Sequence, residues 1–133
     1  MATITASLTL SSPDLTSDAL NLNTSTTLTK AGTSTGLSQS TGIARKTTEA
    51  TATVTIFDAA DFADDKASKV YIKNTSSTAT EYITVFVNSE KIGRLYAGDW
   101  AFLPWSAEPD TNDLKYVPSV STALTVEYAL FYE

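Results

Sequence analysis

The 133-residue chain has no cysteine and no histidine. Without cysteine there is no disulfide scaffold and no thiol nucleophile. Without histidine the commonest general base and transition-metal ligand is missing. Zinc sites, Ser-His-Asp triads and Cys-His pairs are thereby excluded, and the fold must be held by packing or by assembly. Charge is scarce too: 18% of residues are Asp, Glu, Lys or Arg, against about 25% in ordinary domains. The balance is acidic, with a net charge of -6. That argues against nucleic acid and against an anionic membrane as partners, because both select a basic face. No run approaches the ~20 apolar residues that span a bilayer. The start, "MATITASLTLSS", lacks a basic segment leading into an apolar run, so a signal peptide is not expected.

Aromatic residues are missing from residues 1–56; the first is Phe57. That stretch is dominated by Thr and Ser. Its Asp14, Asp18 and Glu49 balance Lys30, Arg45 and Lys46, so all the net negative charge lies in residues 57–133. It still has a pattern. Ile4, Ala6, Leu8 and Leu10 alternate with Thr5, Ser7 and Thr9, and Leu20 and Leu22 alternate with Asn21 and Asn23. Period-two alternation of this kind reads as half-buried strand. "SSPD" is a turn signal, and "KAGTSTG" and "SQSTG" are loop-like. Segments so poor in large side chains rarely build a core alone. Residues 1–56 are therefore expected to be an arm with one or two strands. It would lie on a sheet edge of the same subunit or of a neighbour, with Ile4, Leu8, Leu20 and Leu22 filling shallow apolar sites.

What is present after residue 56 is strand after strand: "TATVTIFD", "SKVYIKN", "TEYITVFVN", "KIGRLYA", "DWAFLPW", "DLKYVP" and "LTVEYALFYE". With 42% hydrophobic residues the chain can bury a core, and its length suits one domain. Strand centres 8–14 residues apart predict an all-β, antiparallel β-sandwich, jelly-roll-like, with residues 57–133 as its compact body. The one plausible helix is "DAADFADDKASK", residues 58–69, equally readable as a loop with a single helical turn.

"YAGDWAFLPWSA", residues 96–107, holds both tryptophans. Gly98 accepts a positive φ and Asp99 can cap its own backbone, so a turn is expected there. In the strand that follows, Trp100 and Phe102 are expected in the core, with Ile72, Val85, Val87 and Tyr128. Trp105, on the opposite face beyond Pro104, is expected at the surface. Trp105 is then the first residue to consider for a subunit interface. With Tyr96 it could alternatively form a sugar-binding platform.

Other residue groups carry weaker chemistry. Asp58, Asp61, Asp64 and Asp65 could supply oxygens to calcium, but the spacing and the missing glycine do not fit an EF-hand; a solvated connection is the alternative. Glu108, Asp110 and Asp113 could suggest a glycosidase pair, but an acidic surface loop suits "SAEPDTND" better. Arg45 and Lys46 form the one basic patch, either a solvated turn or a contact for residues 58–65 of a neighbouring subunit. No cofactor and no catalytic residue are expected.

Two resemblances bear on the second half. "IGRLYAGDWAFLPW" looks like the Gly-Asp-x-x-x-x-Pro turn and strand of cupins, which are jelly rolls, but here without the histidines that bind their metal. Residues 68–133 resemble small structural proteins of tailed bacteriophages, especially those of marine and cyanobacterial phages. The residues that carry this are "KVYIKNTSSTATEYITVFVN", "IGRLYAGDWAFLPWSA" and the final "LTVEYALFYE". The resemblance implies a non-enzymatic β-sandwich component of the virion, with other virion proteins, major capsid or tail, as partners, and a homo-oligomer is expected. A small, acidic, cysteine-free chain without a fibrous repeat points, within that class, to a capsid decoration protein. A tail or fibre-adaptor subunit and a carbohydrate- or receptor-binding module are the alternatives.

Overall fold

A computed structural model describes residues 3–133. The chain divides after Ser38 into two compact units, the second beginning at Gln39. Every pairing between named strands is antiparallel.

The first unit is a hairpin of β1 (Thr5–Ser12) and β2 (Leu20–Thr27). Eight consecutive pairs run without a slip from Thr5↔Thr27 to Ser12↔Leu20. Ser12 closes the connection, its Oγ accepting from the Leu15 N–H at 3.1 Å. At the open end the Leu28 N–H donates to the Ile4 carbonyl, and the Leu37 N–H to the Leu28 carbonyl, both at 2.9 Å. Leu28 and Leu37 are buried there. The alternation read from the sequence is thus a real strand pair.

The second unit has two sheets. One has the order β5-β10-β7-β8, from β5 (Val54–Phe57), β10 (Leu114–Pro118), β7 (Tyr82–Val87) and β8 (Glu90–Tyr96). The other runs from β9 (Trp100–Pro104) through β6 (Ser68–Asn74) to β11 (Leu124–Tyr132). Its far edge is β3 (Gln39–Ser40) and β4 (Ala44–Thr48), which follow one another along the same side of β11. Between Ser40↔Phe131 and Ala44↔Tyr128 the register slips by one residue. Gly42, at φ +71°, lies in the slip, and Thr41 holds it to β11 by exchanging hydrogen bonds with the Leu130 backbone at 3.0 Å.

Inward positions recur every second residue, as the pleat demands. Val70 and Ile72 of β6 and Leu124, Val126 and Leu130 of β11 pack with Ile83 and Val85 of β7 and Leu114 and Tyr116 of β10. One end of this core is closed by five aromatics: Phe57, Phe62, Trp105, Tyr128 and Tyr132. Their contacting ring centroids lie 5.5–6.1 Å apart, mostly edge to face. At the other end of β6, buried Asn74 donates to the Glu81 and Leu95 carbonyls at 3.3 and 3.1 Å and accepts from the Ser76 N–H at 3.0 Å. It links the end of β6, the start of β7 and the end of β8.

The expected all-β sandwich is what the chain forms. Two details differ from expectation, and one open alternative, the helix or single turn in residues 58–69, is decided. Residues 39–56, read as part of the arm, supply β3, β4 and most of β5 to the two sheets. Thr-rich segments do this because an edge strand needs backbone pairing more than bulky side chains. Residues 58–69 contain one 3-10 turn, Ala59–Asp61, and no longer helix. And the faces of β9 are reversed. Trp100 and Phe102 are 51% and 38% exposed, whereas Trp105 is 4% exposed. Ala101 and Leu103 pair with Ile72 and Val70 and pack on the core. Trp105 shares their parity and turns inward with them. Of the other expected core residues, Ile72 and Val85 are buried, while Val87 and Tyr128 are half-buried and packed against the core.

Candidate interaction surfaces

The outer face of the β9-β6-β11-β4 sheet collects the most exposed aromatics. Antiparallel register sets its rows. Trp100, Lys73, Glu127 and Arg45 lie across one row; Phe102, Tyr71 and Ala129 across the next; Pro104, Lys69 and Phe131 across a third. A hydrogen-bonded group crosses these rows. Arg45 Nε and Nη2 both approach Glu127 Oε2 at 2.9 Å, and the Tyr71 hydroxyl donates to Glu127 Oε1 at 2.9 Å. The Arg45 guanidinium, then the Tyr71 hydroxyl, hold the Glu127 carboxyl below the usual carboxylate range. Burial, followed by the Glu127 carboxylate, pushes the Tyr71 phenol up. Arg45 is therefore engaged within its own subunit, and Lys46 stands exposed on the same edge strand.

Tyr96 belongs to the outer face of the other sheet. It lies against Tyr82, centroids 5.1 Å apart, and the Arg94 guanidinium sits 4.4 Å over the Tyr82 ring. The turn between β8 and β9 separates Tyr96 from Trp100. Asp99 Oδ2 accepts from the Tyr96 N–H, and Gly98 at φ +82° donates to the Asn74 carbonyl, both at 2.9 Å. The turn is the one the Gly-Asp pair predicts, and it passes the chain from one sheet to the other. Tyr96 and the exposed tryptophan thus face opposite ways.

A platform pairing Tyr96 with Trp105 does not form. Trp105 is held inside by its ring contacts and by its Nε1–H donating to the Asn112 carbonyl at 2.9 Å. The residue that sequence reasoning missed is Trp100. The sequence signal was parity alone, since Trp105 keeps step with Ala101 and Leu103; the register that sets Trp100 opposite Lys73 decides which side faces out. Ile4 and Leu8 are half-buried on the apolar face of the hairpin.

The acidic residues do structural work. Asp58 Oδ1 caps the 3-10 turn through the Ala60 N–H at 3.0 Å, and Asp113 Oδ1 accepts from the Ala59 N–H at 2.9 Å. That backbone donor holds Asp113 below the usual range. The Asp65 carboxylate, then Asp64, push the exposed Glu108 carboxyl up. Among the described residues no group of three or more Asp, Glu, His or Cys side chains is arranged to hold a metal ion.

The described surfaces offer stacking, hydrogen bonding and ion pairing, the means of binding another surface. Compared with known proteins, the chain matches no family model, no curated sequence and no solved structure.

Proposed function

We propose that this chain is a non-enzymatic structural subunit of a bacteriophage particle, a capsid decoration protein that stabilises the shell. The observation that carries it is the exposed Trp100–Phe102–Tyr71 face, built by the same "KVYIKN" and "GDWAFLPW" segments that resemble phage structural proteins. The strand orders β4-β11-β6-β9 and β5-β10-β7-β8 support it. These orders fit an eight-stranded jelly-roll reading, an architecture used by viral capsid and lectin domains. A sheet face carrying exposed aromatics suits docking on another protein surface. Co-sedimentation with empty capsids tests this. The full chain is expected to bind, and Trp100→Ala with Phe102→Ala to weaken binding at least tenfold. Binding to isolated tails and not to heads would instead support the fibre-adaptor reading.

Exposed Trp100 also favours a second reading, a carbohydrate-binding module, because lectin domains share the jelly-roll architecture. A glycan-array signal lost in Trp100→Ala, without capsid binding, would support that reading.

A further inference from the structure

We propose that the β1–β2 hairpin joins this chain to a second copy of itself, β1 adding antiparallel to β1 of the partner. The sequence of the two strands, "TASLTLSS" and "LNLNTSTT", contains no charged residue, no proline and no glycine. Their sheet contains two strands only, so each strand leaves one edge of backbone N–H and C=O groups without a strand partner. Natural sheets block such edges with lysines, proline, bulges or very short strands.

The body of the same molecule does so at every edge. β8 carries Lys91 and Arg94 and has a register break opposite Val85 and Phe86. β9 ends on Pro104. The β3–β4 edge carries Arg45 and Lys46 and slips at Gly42. β5 has four residues and its own register shift. The hairpin alone has long, regular, unblocked edges.

Its faces point the same way. Directly paired residues share a face, so Ala6, Leu8, Leu10, Leu20 and Leu22 form one apolar stripe. Leu10, Leu20 and Leu22 are 47%, 36% and 44% exposed. An isolated two-stranded hairpin is at best marginally stable in water. A four-stranded sheet made from two hairpins adds a third strand ladder to the existing two and merges both stripes into one face.

The self-complementary sequence of β1 points to a second copy as the occupant, and charge favours the hairpin over the body as the contact. Asp14, Asp18 and Lys30 leave residues 1–38 at -1 of the total -6, so the body carries -5. Two bodies meeting would repel, whereas two uncharged strands would not. Two-fold pairing centred on Thr9 places Leu8 opposite Leu10 of the partner copy, twice over. It also sets Thr9 against its own equivalent.

This inference deepens the assembly reading above. It is tested on the purified full chain alone, so its failure and a failure of capsid binding are told apart. Light scattering at tens of micromolar is expected to report a dimer. Leu10→Lys, which puts a charge on an exposed stripe position, should give a monomer with an unchanged circular dichroism spectrum. The chain has no native cysteine, so Thr9→Cys should form a disulfide-linked dimer under mild oxidation much faster than a body-surface control, Thr53→Cys. A monomeric wild type, a trimer, a dimer that survives Leu10→Lys, or equal cross-linking of the two cysteine variants would each overturn the proposal.

Discussion

Asn74 is the polar residue on which most backbone depends. It is fully buried, and its amide satisfies groups from three chain segments. Asn74→Ala removes the Asn74 partner from all three part-buried groups, at up to about 1–3 kcal/mol for a group left without a substitute, and should show as a fall in the denaturant midpoint. Tyr116 and Thr48 are the opposite case, because their buried hydroxyls have no well-formed hydrogen bond. Tyr116→Phe with Thr48→Val should therefore leave thermal stability unchanged or raise it. The two tryptophans separate in the same assay. Trp105→Ala should cost about 3–5 kcal/mol as a core truncation, and Trp100→Ala less than about 1 kcal/mol, within the range of surface substitutions. Sequence reasoning assigned these two faces backwards because it ranked them by bulk. The outward face of β9 is the bulkier one, whereas Ala101 on the inward face is small. Parity was readable; which parity faced in depended on Ile72 and Val70 across the ladder.

Among the elements, the β4–β11–β6 face has a predictable response to acid. Glu127 is depressed in the folded state by Arg45 and then Tyr71. A depressed carboxyl contributes stability above its unfolded pKa, and that contribution is lost as pH falls through the folded value. Glu127→Gln should lower stability at neutral pH and converge on the wild type at low pH, flattening the acid limb of a stability-against-pH curve. The strands themselves were legible from alternation, and the Tyr96–Trp100 turn from its Gly-Asp pair. The boundary of the body was not. Thr41, Ala44 and Thr47 look like arm residues because nothing in them signals burial, yet an edge strand asks only for a backbone in register. Removal of residues 1–38 should accordingly leave both sheets and a cooperative melt. Removal of residues 1–50 also takes β3 and β4, uncovers one side of β11, and should give a chain that aggregates on heating.

For the molecule as a whole, the central strands come late. β4 pairs only with β11, some eighty residues further on, and β5 only with β10, some sixty further on. A ribosome adds about 5–20 residues per second. The first strands of both sheets therefore wait several seconds, with hydrophobic Val54 and Ile56 among them, before any partner exists. Beyond the β1–β2 hairpin and the consecutive β7–β8 pair, order cannot accumulate gradually along such a chain, because each sheet of the body is completed by a strand inserted into its middle. In nascent chains stalled at Asp113, before β10 and β11, the body should be digested by protease as readily as an unfolded chain. Release of the full chain should then produce protection in a single step, timed by β11.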